Sequence, residues 1–366
     1  MPRANGTRKL TVTIVALAAV ALASVCFAQS EAKPNESSAR SSQDLRDFVP
    51  ATISPEARAI FQKLLPMVDA HRNEYTILKT LADFDANYAK ILARAEANTA
   101  PLVKKLGVSN AELAIGGVRV YETRPPNYHD DGTVLIRVHG GGFIQDSAHS
   151  SAGADALMAT ATGRRVVSVD YTVAPRGRWQ LVTDQVIAVY KGVLAEGYKP
   201  QSIGMFGDSA GANIVPASIL KLRDNGSPMP GAVVLLSPCV DLNLNGDTET
   251  TLAHADPVLE VDRVIPGFKA YADPADWKNP YVSPIYGDFK KGFPPVLIQV
   301  GTKELLLSDS VRLYQAIKIT GGEAELDVYE GMPHVFQAYL MNTPEQKAAY
   351  AEIQRFWSLH LEPTKR

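Results

Sequence analysis

Cysteine is nearly missing from this chain of 366 residues, which has only two: Cys26, inside the first apolar stretch, and Cys239, far downstream. If that first stretch is removed, Cys239 stands alone, so no intramolecular disulfide can form and stability must come from the core. The spacings that hold metals, CxxC and HExxH among them, do not occur, so no metal is assigned and no cofactor is expected. An excess of charge of one sign is missing too. The 37 basic residues against 39 acidic ones leave a formal net charge of −2, with no electrostatic footprint for nucleic acid or acidic lipid. No internal repeat occurs, and nothing points to disorder on a large scale. A small neutral molecule as partner fits this balance.

What is present begins with Arg3, Arg8 and Lys9, followed by apolar residues from Leu10 to Phe27 and then small and polar ones. That is the order of the three regions of a secretory signal peptide, and cleavage is placed after Ala28, giving an exported, periplasmic or extracellular protein. Two rival readings stand beside it. Cys26 as a lipoprotein anchor is disfavoured by the bulky Val25 before it. An uncleaved anchor is the larger rival, because the stretch approaches the roughly 18 residues that can span a bilayer. With residues 1–28 removed, no stable membrane association is expected. Residues 29–44 lack hydrophobic periodicity and read as a flexible leader.

The rest, in a chain 46% hydrophobic and 21% charged, can bury a full core. Residues 45–110 carry apolar positions at helical spacing, such as Ile60, Leu64, Leu65, Met67, Ile91 and Leu92, and are expected to form helices outside the main sheet. From Val118 onward short apolar strands alternate with amphipathic helices, which assigns residues 111–366 to a mostly parallel sheet covered on both faces. Strands are expected at Val118 to Glu122, Thr133 to Val138, Val166 to Asp170, Ser202 to Phe206, Ala232 to Ser237, Pro295 to Val300 and Glu325 to Tyr329. A connection from about 241 to 284 breaks the alternation. Loops of this length are usually lids or functional insertions, and together with the N-terminal helices it reads as a cap over the carboxyl ends of the strands.

Gly207-Asp208-Ser209-Ala210-Gly211 lies between an expected strand and the helical run Ala210 to Arg223. This is a Gly-x-Ser-x-Gly nucleophile elbow in its strand-turn-helix setting, with Ser209 as the candidate nucleophile. The serine sits on a strained turn, so the residues two before and two after must be small for strand and helix to approach. An ordinary glycine-rich turn is the bland reading, and the next two signals weigh against it.

His139-Gly140-Gly141-Gly142-Phe143 follows the strand ending at Val138, where this elbow needs an oxyanion hole. Glycines let backbone N–H groups face the developing charge with no Cβ in the way. Gly141, Gly142 and Ala210 are the expected donors, with Gly140 in reserve, and the dipole of the helix after Ala210 adds to them. His139 reads as a residue that fixes this loop, since the elbow order demands a later histidine. The acid and the histidine follow the serine on the loops after the last two strands, which places Glu304 and His334 there. Glu304 would orient the imidazole and His334 would shuttle the proton. Of seven histidines, only His360 also follows the acid loop, and it reads as a surface residue of the terminal helix. Asp309 is the alternative acid, though it looks like a residue whose carboxylate serves the free N–H groups that open the next helix.

These blocks resemble the bacterial hormone-sensitive-lipase-like esterases, family IV of the bacterial lipolytic enzymes, over roughly 133–336. The resemblance rests on His139 to Phe143, Val169-Asp170-Tyr171 with Ala174-Pro175, Gly207 to Gly211 with Asn213, Ser237-Pro238 with Asp241-Leu242, Ser283-Pro284, and Pro333-His334-Val335-Phe336. It implies an α/β-hydrolase fold, cofactor-free hydrolysis of short- to medium-chain carboxylic esters, and a helical cap made from the N-terminus and an inserted segment. The chain departs from most relatives in having Glu304 where they carry Asp, in Arg176-Gly177-Arg178-Trp179, and in Pro216 inside the elbow helix. A non-catalytic small-ligand-binding protein on the same scaffold is the rival from another class, but such proteins usually lose a triad member. A deacetylase for sugar or xenobiotic esters is the nearest enzymatic variant. A lipase for long-chain lipid is disfavoured because no extended apolar lid helix is evident between Asp241 and Pro284. The small ester is the expected partner, taken by a monomer or a homodimer.

Overall fold

The structure, a computed structural model, describes residues 42–73 and 78–364. The expected signal peptide and most of the expected leader lie outside the described residues. The leader reading needs correction at its end, because residues 42–44 belong to a helix, α1 (Ser42–Asp47). Its partners are tertiary and invisible to local pattern: Arg46 pairs with Asp69 at 3.2 Å, and the carbonyls of Leu45 and Phe48 accept from the Lys303 ammonium.

Helices α2 (Pro55–Asn73) and α3 (Leu81–Leu106) follow, the latter opened by a Thr80–Asp83 capping box and closed by Gly107 at φ 66°. Next come β1 (Ser109–Ile115), β2 (Val118–Arg124), β3 (Val134–Val138), α4 (Ala152–Thr162), β4 (Arg165–Val169) and α5 (Trp179–Ala195). The second half runs β5 (Ile203–Asp208), α6 (Gly211–Asp224), β6 (Ala232–Leu236), α7 (Thr248–Thr251), α8 (Val261–Tyr271) and β7 (Val296–Gly301). It ends with α9 (Leu307–Lys318), β8 (Ala324–Tyr329), α10 (Phe336–Tyr339) and α11 (Pro344–His360).

All seven strands expected from Val118 onward are present, their ends displaced by at most two residues. Strand β1 went unread. Only its last residue, Ile115, is buried, so it carries no alternating pattern. It forms a hairpin with β2 through Gly116-Gly117, whose φ values of 60° and 79° suit the tight two-residue hairpin turn. The sheet domain therefore begins at Ser109 rather than at 111.

The sheet order is β1-β2-β4-β3-β5-β6-β7-β8. Neighbours from β4 through β8 are parallel, and β2 runs antiparallel to both β1 and β4. Strands β3, β4 and β6 are buried at every position, as expected of parallel strands covered on both faces. Alternate side chains go to opposite faces. Leu135, Val166, Phe206, Val234 and Leu297 pack on Met158 of α4 and on Ile353, Phe356 and Trp357 of α11. Ile136, Val167, Met205, Val233 and Ile298 pack in the larger core with Val182 and Val186 of α5, Ile214 of α6 and Leu313 of α9. A third cluster joins Ile53 and Ala57 to Met332, Phe336 and Leu340, so the start of α2 packs against the loop after β8.

Pro216 lies buried inside α6, where the sequence places it, and the helix runs on past it to Asp224. One local expectation is revised. His360 is no surface residue: its ring lies 4.4 Å from that of Phe356 and its side chain is only 10% exposed, with Nε2 3.7 Å from Glu323. The α11 face that carries Phe356 turns His360 inward as well, since i and i+4 share a helix face.

Beneath the turn after β5, Arg137 of β3 is 3% exposed. It donates to Asp208 at 2.6 Å, to Asp155 at 3.2 Å and to the Ser151 carbonyl at 3.1 Å, tying β3, α4 and β5 together. Arg137→Met would leave two carboxylates facing each other without their cation. It is expected to lower stability by about 3–5 kcal/mol, read from the urea unfolding midpoint. A midpoint within error of the parent would mean that this network does not hold the turn.

Candidate active site

Ser209 occupies the turn between β5 and α6 at φ 52°. This left-handed conformation is strained for a residue with a side chain and persists only where surroundings enforce it. Here the Ser209 amide donates to the Leu236 carbonyl at 2.9 Å, and the Ser209 carbonyl accepts from the Cys239 amide at 3.4 Å. The flanking glycines have a steric cause. A Cβ on Gly207 would lie 2.5 Å from the backbone of Gly211, and one on Gly211 would lie 2.1 Å from the Val138 carbonyl oxygen.

The glycine loop after β3 comes down on the same point. A Cβ on Gly140 would stand 3.3 Å from the Ser209 Cβ. Gly141 and Gly142 have φ values of 94° and 57°, and the space beside Gly142 is open for at least 4 Å. The amides of Gly141, Gly142 and Ala210 donate to no protein group among the described residues, which leaves three N–H donors around Ser209. His139 fixes this loop. Its Nδ1 lies 3.0 Å from the Gly140 carbonyl and its ring stacks on Tyr171 at 4.1 Å. The Tyr171 hydroxyl donates to the carbonyls of His139 and Gly140 at 3.1 and 3.2 Å. Burial, helped by the Arg137 cation, pushes the His139 pKa down to about 4, so the ring is neutral.

Glu304 and His334 meet. His334 Nδ1 donates to Glu304 Oε2 at 3.0 Å, with both side chains buried. The other carboxylate oxygen, Oε1, accepts from the Gly301 amide at 2.5 Å and from the Ser237 hydroxyl at 3.0 Å. The same hydroxyl accepts from the Val335 amide at 3.0 Å, so Ser237 clamps the acid and the histidine loop together. Val335 and Ser237 are themselves in the left-handed region, at φ 50° and 48°. The Ser209 hydroxyl makes no hydrogen bond among the described residues. A nucleophile and its base commonly tighten only when substrate is bound.

Asp309 stands apart from His334. It lies in the first turn of α9, but its carboxylate does not serve that helix's own N–H groups as expected. Oδ2 accepts from the amides of Val240 and Asp241 at 2.7 and 3.1 Å, while Oδ1 lies 3.4 Å from Arg312. The loop after β6 runs beside α9 and has two amides without strand partners, which only the folded sheet reveals.

Sequence reasoning missed the clamp of Ser237, although a buried Ser-Pro pair at the end of a strand was its available signal. It also missed Lys303, whose ammonium holds the carbonyls of Leu45 and Phe48 beside the acid loop. Burial lowers the Lys303 pKa to about 8. Three buried carboxyls ring the site: Asp146, its Oδ2 packed against Gly141, with Asp155 and Asp256. Burial raises each of them to about 6.

Those carboxyls bind protons more tightly folded than unfolded, where they titrate near 4. Their contribution to stability is therefore present below about pH 4 and is lost as pH rises through about 6. His139 acts in the opposite sense: its contribution is present above about pH 6.5 and lost as pH falls towards about 4. Three carboxyls outweigh one imidazole, so the calorimetric melting temperature is expected to be higher near pH 5 than near pH 7.5. The reverse slope would contradict the buried, protonated carboxyls.

Known proteins fall in line with this geometry. A family model described as alpha/beta hydrolase fold matches residues 135–338. A protein of Acinetobacter venetianus named "Esterase" is 34% identical over 61% of this chain and 74% of its own length. A Streptomyces hygroscopicus "Acetyl-hydrolase" is 32% identical over 67% of this chain and 81% of its own. A crystal structure of an esterase from the bacterial hormone-sensitive lipase family superposes with a TM-score of 0.73 at 31% identity, covering 84% of this chain and all but 1% of that one.

Proposed function

From the premise that the chain belongs to the alpha/beta hydrolase fold family and to its hormone-sensitive-lipase-like esterases, we propose how it carries out carboxylic ester hydrolysis and on which esters. The protein is a carboxylesterase. One observation carries the mechanism: the buried Glu304–His334 hydrogen bond lies after β7 and β8, at the same carboxyl edge of the sheet as the strained Ser209 and three undonated amides.

Because Nδ1 of His334 is bonded to Glu304, Nε2 carries the lone pair and acts as base. The Ser209 Oγ attacks the ester carbonyl carbon while its proton passes to Nε2. The carbonyl π electrons move to oxygen, and the oxyanion is held by the amides of Gly141, Gly142 and Ala210, which need no reorganisation at the moment of reaction. Collapse expels the alcohol, which takes the proton from Nε2, and leaves an acyl-serine. Water then repeats the sequence and releases the acid. Glu304 stabilises the imidazolium at each step.

The preferred esters are short to medium in chain length. Cap helix α8 is 11 residues long and packs on the oxyanion loop: a Cβ on Gly267 would lie 2.4 Å from the Gly142 carbonyl oxygen. Tyr271 stacks on Phe143 at 4.1 Å. A cap this close leaves little room for a long acyl chain. The chain is exported and loses residues 1–28, the reading that the basic, apolar and small-residue order of its first segment supports.

On p-nitrophenyl esters from acetate to palmitate, turnover is expected to peak at short chains and to vanish in Ser209→Ala. An inert parent protein across the series would sink the mechanism. Glu304→Gln is expected to lose several orders of magnitude in kcat while Asp309→Asn keeps most of it, and the opposite result would make Asp309 the acid. Intact mass of protein secreted by an expressing bacterium is expected to begin at Gln29; a mass that retains Met1 would favour the uncleaved anchor.

A further inference from the structure

We infer that Asp256, in the long connection between β6 and β7, is a positioning residue for the Glu304–His334 pair, linking the cap insertion to the catalytic acid. This rests on the triad reading above and deepens it. Asp256 is 1% exposed. Its Oδ1 turns its own loop, accepting from the amides of Val258 and Leu259 at 2.7 and 2.9 Å. Its Oδ2 crosses to the acid loop and accepts from the Leu305 amide at 2.8 Å. That amide belongs to the peptide bond leaving Glu304. The carbonyl on the other side of Leu305 is held too, accepting from the Thr248 hydroxyl of α7 at 2.5 Å. The sheet therefore holds the Glu304 carboxylate, through Ser237 and Gly301, while the insertion holds its backbone.

Charge adds to geometry. Charged groups couple to Asp256 across the loops: a charged His334 favours the Asp256 carboxylate, and that carboxylate favours the Lys303 ammonium. A carboxylate at this depth is costly to keep ionised. A neutral asparagine has a single accepting oxygen and would turn its NH2 toward either the Val258 and Leu259 amides or the Leu305 amide, so only a carboxylate serves both sides. The use of the charge is the imidazolium that forms on His334 in the transition state, which gains a second counter-charge behind Glu304.

The test compares Asp256→Asn, Asp256→Glu and Glu304→Gln with the parent, with active sites counted by stoichiometric phosphonylation of Ser209. Asp256→Asn keeps the shape and one acceptor but loses the charge and the second acceptor. Its kcat per site is expected to fall about 10- to 100-fold, with KM little changed. The acid limb of its kcat/KM profile moves to lower pH, because the imidazolium has lost a counter-charge. Asp256→Glu restores the limb while recovering kcat only in part. Should the asparagine variant not fold, the glutamate variant decides, since a parent-like kcat there would rule out a positional role. An unchanged limb in Asp256→Asn, or a loss confined to the number of titrated sites or the melting temperature, makes Asp256 a structural residue only. Parent-like turnover in Glu304→Gln would bring down the triad reading itself, whatever the Asp256 variants do.

Discussion

The chemistry at this site depends on how closely α6 approaches β3 and β5. With Val138's carbonyl oxygen 2.1 Å from where a Cβ of Gly211 would stand, only glycine allows the approach, and only that approach turns Ser209 into the left-handed region and lifts it above the sheet edge. The strain is held by ordinary backbone bonds to Leu236 and Cys239, and beneath it by the Arg137 network. Shift α6 outward by the width of one methyl group and Ser209 would relax, the Ala210 amide would swing away, and the contact between Gly140 and the serine would open.

A second constraint is electrical. The Glu304–His334 pair is buried and its carboxylate has defined partners. Glu304 accepts from an amide and a hydroxyl besides the imidazole. Asp309, a carboxylate of the same loop region, is consumed by the amides of Val240 and Asp241. Two carboxylates a few residues apart thus have different work because of what surrounds them: one faces the imidazole, the other pins a loop. Asp146, Asp155 and Asp256 hold their protons to higher pH than an exposed carboxyl would, which limits the negative charge buried in the protein at mildly acidic pH.

The segments outside the sheet are joined to it by charge and by aromatic stacking. Arg176 pairs with Asp85 of α3 and Arg178 with Asp273 of the insertion, while Trp179 donates to Asp276 at 3.2 Å. The departure from most relatives after Pro175 thereby has a role in fastening the insertion. Lys303 fastens the N-terminal segment to the residue next to Glu304. Tyr271 and Phe268 close on Phe143. The acid loop is thus contacted by the sheet, the insertion and the N-terminal segment together.

The parallel sheet, seven of its strands, the elbow, the glycine loop, and the placing of Glu304 and His334 after the last two strands could be read from the chain alone. Each rests on a local rule: runs of buried β-branched residues, glycines where a Cβ is sterically forbidden, and a fixed order of serine, acid and histidine along the chain. Strand β1 was illegible because its residues are exposed and its partner is a hairpin neighbour rather than the core. The helix at Ser42–Asp47, the inward turn of His360, the true partners of Asp309, and the reach of Ser237 and Asp256 to the acid loop belong to tertiary structure. Ser237 lies 67 positions before Glu304, and Asp256 lies 49 before Leu305. Their roles depend on which amides and carboxylates the folded sheet leaves without partners, and local residue patterns carry no record of that.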